Sequence, residues 1–230
     1  MPILLTKLLL GGKSVVIMKP SLPYSIFDLC LVPHHDNPPE KQNIIQTMGA
    51  LNLINQRDQG IPIANSMFFL IGGPSSHFKW EDEVIISQIQ KILKTNNYRY
   101  SKIILTSSRR TPESFLNSLR KKQIMNMKIC THDETPVGWL EDTLNDSEIA
   151  WVTPDSISMV YEALSANCKV GVFDLKESSK NDKVARNISL LKEERYISSY
   201  DMFASDEKLS VRKFDNQAEI CARTVKEKFL

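Results

Sequence analysis

Short apolar runs alternating with amphipathic ones constrain this chain more than any other feature. Met67–Ile71, Lys102–Thr106, Met127–Cys130, Glu148–Val152 and Lys169–Phe173 each have the length and content of a buried strand. Stretches with helical spacing lie between them, near 81–94, 112–121, 137–144 and 155–166. Such alternation predicts a parallel sheet, because parallel neighbours need a long crossover and a helix supplies it. Ile85, Ile89, Ile92 and Leu93 share one face of the first helix; Ile157, Val160, Tyr161 and Leu164 share one face of the last. Both stripes read as sheet-packing faces. The fold class is therefore α/β, with Rossmann-like parallel sheets.

A smaller series precedes this one. Val15–Ile17 and Phe27–Val32 read as strands, the first entered from a helix end at Leu8-Leu9-Leu10 that Gly11-Gly12 stops. Gln46 to Leu53 reads as a short helical or loop stretch, and Gln56 to Asn65 as a linker. The charged stretch Glu177 to Arg195 reads as a solvated helix and loop, and Asp215 to Leu230 as a terminal helix. The expected domains are residues 1–60, completed by helix 215–230, and residues 61–214. So few strands make a thin layer. Cover from the terminal helix or from a second copy of the chain is expected, which makes a homo-oligomer one expectation.

Composition narrows the partners. The 230 residues carry 29 Lys and Arg against 27 Asp and Glu, a net charge of +2, which gives no global attraction for nucleic acid. Cys30, Cys130, Cys168 and Cys221 are far apart and lack metal-ligand spacing, so they read as reduced thiols in a cytoplasmic protein without zinc. No run approaches the roughly 20 apolar residues of a membrane span. Lys7 and Lys13 break the N-terminal apolar run, and no small-residue cleavage site follows, so it does not read as a signal peptide.

The chemistry concentrates in three strand-to-helix turns. They are Gly72-Gly73-Pro74-Ser75, Thr106 through Ser107, Ser108, Arg109, Arg110 and Thr111 to Ser114, and Thr153-Pro154-Asp155-Ser156. Each follows a strand, so in a parallel sheet all three share the carboxyl edge where open α/β folds bind ligands. Gly-Gly allows backbone N–H groups to crowd an anion. Thr before Pro reads as an N-cap with Pro at the first helical position. Arg109 and Arg110 suit a diphosphate, because guanidinium meets phosphate oxygens in pairs. Solvated Arg residues and simple helix caps are the plainer alternatives. The glycines fit neither a dinucleotide GxGxxG fingerprint nor a P-loop. Glu162 can accept hydrogen bonds from ribose hydroxyls, or be a surface carboxylate. His132-Asp133-Glu134 follows the third strand of this series. His35 and Asp36, after Phe27–Val32, form a candidate general base that could face the second domain across a cleft, or a purely structural turn.

Taken together, these pieces resemble the mitochondrial fission family named for elongated mitochondria in plants, with its bacterial homologues. The matching residues are Val32-Pro33, His35-Asp36, Gly72-Gly73-Pro74-Ser75 with His77-Phe78-Lys79-Trp80, Thr106-Ser107, Arg109-Arg110-Thr111-Pro112, and Val152-Thr153 through Asp155-Ser156, Ser158-Met159 and Glu162-Ala163. The resemblance implies a fold similar to GT-B glycosyltransferases, in which two Rossmann-like domains flank a cleft and the C-terminal one holds a sugar nucleotide. It implies Gly72, Gly73 and Ser75 near phosphate, Arg109 and Arg110 on diphosphate, and Ser156 and Glu162 toward phosphate and ribose. The implied function is metal-independent nucleotide-sugar binding or glycosyl transfer, with the nucleoside diphosphate sugar as substrate and no separate cofactor. The plant member acts as a recruitment factor at the mitochondrial surface, so a non-catalytic role with peripheral membrane contact is the alternative. Full members carry a longer N-terminal domain with a glycine-rich opening, so a shortened first domain, or an inactive remnant, is a third expectation. Asp133 to Val137 also lacks the Asn-Pro-Tyr of the family pattern.

Overall fold

The computed structural model describes residues 2–56, 62–95, 100–180, 182–204, 209 and 212–230. The chain forms two compact units, Met1–Leu53 with Asp215–Leu230, and Ile54–Phe214.

The smaller unit starts with helix α1 (Pro2–Leu10) and holds a parallel sheet of β1 (Val15–Ile17), β2 (Leu29–Pro33) and β3 (Ile44–Thr47), in that order. Every residue of β2 is buried, as a central strand covered on both faces requires. Alternation splits the core: Phe27, Cys30 and Val32 pack with Leu22 and Tyr24 on one face, Leu29 and Leu31 with Cys221 on the other. Cys221 arrives on the terminal helix, α8 (Gln217–Phe229), together with Val225 and Phe229. Asn216 caps α8 by accepting the N–H groups of Ala218 and Glu219. The stretch read as helix or loop from Gln46 begins inside β3 instead. Its apolar run is only Ile44-Ile45, too short to show a period, and pairing of Cys30 with Ile44 through Pro33 with Thr47 makes it a strand. Lys7 Nζ, Ser14 N–H and Ser14 Oγ all donate to Asp28, at 2.5, 2.7 and 2.7 Å, tying α1 to the sheet.

The larger unit alternates throughout: β4 (Ile63–Ile71), α2 (Asp82–Thr95), β5 (Lys102–Ser107), α3 (Glu113–Lys121), β6 (Met127–Cys130), α4 (Trp139–Asn145), β7 (Ser147–Val152), α5 (Ile157–Ser165), β8 (Lys169–Val172), α6 (Lys183–Glu193), β9 (Ile197–Ser199) and α7 (Tyr200–Ala204). The sheet order is β6-β5-β4-β7-β8-β9, and all pairs are parallel. The chain winds outward from β4 to β6, then returns to place β7 on the other side of β4. The β4/β7 junction is therefore a topological switch point.

Three expectations need correction. Ile63 to Asn65, read as linker, belongs to β4, while residues 57–61 lie outside the described residues. The stretch 177–195 is not simply solvated: α6 buries Ala185, Asn187, Ile188 and Leu191, a stripe that its many charges conceal. Thr111 and Thr153 do not cap helices; their hydroxyls bind the glycine turn. Gly171 has its own reason. A Cβ there would lie 2.7 Å from the Trp151 ring, which packs with Phe173, Tyr200 and Phe203.

Candidate nucleotide site at the sheet edge

The carboxyl ends of β4, β5 and β7 are neighbours, so the three turns converge. Their polar groups lock one another. Gly72 N–H donates to Thr153 Oγ1 at 2.8 Å, and Gly73 N–H to Asp155 Oδ2 at 3.0 Å. The Thr111 hydroxyl reaches the Ile71 and Gly72 carbonyls, and Ser108 Oγ donates to the Gly72 carbonyl at 3.0 Å. The glycine N–H groups, expected to face a phosphate, are thus spent inside the protein. The glycines serve close approach instead. A Cβ on Gly72 would lie 2.2 Å from Asp155, and one on Gly73 would lie 2.1 Å from the Arg110 carbonyl.

The two arginines have different situations. Arg110 Nη2 pairs with Asp155 Oδ2 at 2.8 Å, and Nη1 donates to the carbonyls of Gly73 and Pro74. Asp155 is only 1% exposed, so Arg110 neutralises a buried carboxylate and straps two turns together. Asp155 itself faces inward rather than toward a ligand. Arg109 is exposed and has no partner among the described residues.

The groups left open have matching chemistry. Helix α5 starts after Ser156 with no side-chain cap, so its first-turn N–H groups are available to an anion. Ser75 Oγ accepts the N–H groups of His77 and Phe78 at 3.2 and 3.4 Å and keeps its own proton to donate. Ser107 Oγ likewise accepts the His132 N–H at 3.2 Å, but Ser107 is only 4% exposed and is not open to a ligand. Glu162, on the second turn of α5, is half-buried, and burial raises its carboxyl to about 7. His132 to Glu134 form a short 3-10 turn closed by a capping box with Thr131. His35 and Asp36 lie in the smaller unit, half-buried in a 3-10 turn directly after β2. Among the described residues, no group of three or more His, Cys, Asp or Glu side chains is placed to hold a metal ion.

Sequence reasoning did not single out the ties around the loop that follows Ser75. Lys79 N–H bonds to the Lys176 carbonyl and Ser178 N–H to the His77 carbonyl, joining the loops after β4 and β8. His77 Nδ1 lies 2.7 Å from Asp182 Oδ2. Partners so far apart in the chain leave no local signal.

Comparison with known proteins adds three findings. No curated protein matches. Solved structures similar at low identity include the pneumococcal O-GlcNAc transferase GtfA in complex with UDP and GlcNAc, at 9% identity and TM-score 0.42, and TarM, at 14% and 0.41. They match 90% and 88% of this chain but only 43% and 44% of their own lengths, so the chain spans less than half of each. The sequence model of the family described as Mitochondrial fission ELM1 matches residues 2–229, and the chain belongs to that family.

Proposed function

We propose that the Ile54–Phe214 unit binds a nucleoside diphosphate sugar at the carboxyl edge of its sheet and serves glycosyl transfer of the GT-B kind, without a metal. One observation carries this reading. At the switch point, Arg110 neutralises the buried Asp155 carboxylate behind the glycine turn, and donors with no acceptor among the described residues stand beside it: Arg109, the open α5 N-terminus, and the hydroxyls of Ser75 and Ser156. Such a set suits phosphate oxygens, and the electrostatic stabilisation a metal often supplies would come from the guanidinium and the helix N-terminus. In transfer, these groups would stabilise the departing nucleoside diphosphate as its charge grows. Glu162 would accept the ribose hydroxyls.

Thermal shift with uridine, guanosine, cytidine and thymidine diphosphates tests the binding step. At least one should stabilise the protein, and Arg109→Ala should weaken that binding about tenfold, the worth of one charge-assisted hydrogen bond. No stabilisation by any of them sinks the reading. A scaffold or recruitment role is the second reading, favoured by Leu5, Leu8, Leu9 and Leu10, which are all exposed on α1. It predicts partner capture that survives Arg109→Ala.

A further inference from the structure

One pair of side chains at the sheet edge is unused by this reading. His77 lies two residues beyond Ser75, and its backbone N–H bonds to Ser75 Oγ. Its ring is held from one side only. Nδ1 meets Asp182 Oδ2 at 2.7 Å, while Nε2 has no partner among the described residues. The ring is 35% exposed and Asp182 14%, so the carboxylate is the sheltered member and the imidazole the reachable one.

Asp182 is itself fixed. Its Oδ1 accepts the N–H groups of Val184 and Ala185 as the N-cap of α6, leaving Oδ2 for His77. The loop carrying His77 is fixed as well, because its backbone is bonded to residues 176 and 178. In the sheet, β7 lies between β4 and β8. The bonded loops thus follow strands that flank β7, the strand that leads into α5. A carboxylate that accepts the Nδ1 proton fixes the ring orientation and leaves Nε2 on the opposite edge of the ring, from which the doubly protonated form donates to an anion.

We propose that His77, oriented by Asp182, is a phosphate-binding residue of this site and donates its Nε2–H to the ligand's diphosphate. The proposal rests on the nucleotide reading above and adds a donor on the β4 side of the switch point, where the glycine N–H groups are already spent. A plain structural brace would need only the Nδ1 contact and would be indifferent to phosphate.

The test compares each of the four nucleoside diphosphates with its parent nucleoside, by calorimetric titration of the full chain. His77→Ala should weaken binding of the preferred diphosphate at least about tenfold and leave that nucleoside unchanged. Asp182→Asn keeps an N-cap for α6 but removes the charge, and should weaken the diphosphate about threefold with the same selectivity. His77→Gln serves where His77→Ala fails to fold. Wild-type binding retained within about twofold by the folded His77 variants, or equal losses for nucleoside and diphosphate, overturns the proposal and leaves the nucleotide reading standing. Absence of any wild-type binding overturns both.

Discussion

Two single side chains here have charge states set by identifiable causes, and each gives a prediction. Burial lifts the Glu162 carboxyl to about 7, so the ionised form costs the fold stability once pH rises above its ordinary value near 4.3. Glu162→Gln should stabilise the protein at pH 8 by about 1–2 kcal/mol, discounted for partial exposure, and much less at pH 5. Denaturant melts at the two values check this. Asp28 goes the other way. The Lys7 hydrogen bond first, then the Ser14 backbone and hydroxyl, hold its carboxyl well below the usual range. Its contribution is full above the unfolded value near 3.9 and fades as pH falls through the depressed folded value. Asp28→Asn should flatten the acid limb of the stability curve between about pH 4 and 2, measured by acid titration of circular dichroism. At Gly72, alanine would drive a methyl into the Asp155 carboxylate, itself held by Arg110. Gly72→Ala should cost about 2–4 kcal/mol, and Arg110→Ala a similar amount through the orphaned buried charge. The residue scale is also where the sequence was least readable. Arg109 and Arg110 are adjacent and identical in type, and only the fold, by bringing Asp155 to the second, separates a strut from a cation without a partner among the described residues. The donors of the glycine turn look open in the chain because Thr153 and Asp155 lie some 80 positions away.

Secondary-structure elements show the opposite balance. Strands with long apolar runs and helices with a clear 3.6-residue stripe were legible: Met127–Cys130 coincides with β6, and 81–94 differs from α2 by a residue at each end. Elements that escaped are those whose identity comes from neighbours. β3 has two apolar residues and takes its conformation from β2; β9 spans three residues and is a strand because β8 lies beside it. The α6 stripe of Ala185, Ile188 and Leu191 is real but diluted by Lys183, Arg186, Lys192 and Glu193. Packing between strands makes its own demand at Gly171, paired with Trp151 across β7 and β8. Gly171→Ala would push a methyl into the indole and should cost about 1–3 kcal/mol, read as a lower denaturant midpoint with an unchanged m-value.

At the scale of the whole molecule, the two units differ in construction. The larger is one continuous segment with a six-stranded sheet, whereas the smaller is assembled from both ends of the sequence. A fragment of residues 54–214 carries its own sheet, core and every edge group assigned to phosphate. It should fold cooperatively alone and, on the proposed function, show the same nucleotide-dependent rise in melting temperature as the full chain. A fragment that melts without cooperativity would show that the larger unit depends on the smaller.

The split construction of the smaller unit has a consequence during synthesis. Cys221, Val225 and Phe229 cover the face of the small sheet formed by Leu29 and Leu31. As the polypeptide emerges from the ribosome, its first strands appear early but wait for α8, with some 160 residues threaded between them. The middle of the protein can close before its beginning does. Until α8 emerges, the unfinished sheet would offer that apolar face to chaperones, so slowing translation of the intervening segment should prolong the exposure and leave the larger unit untouched.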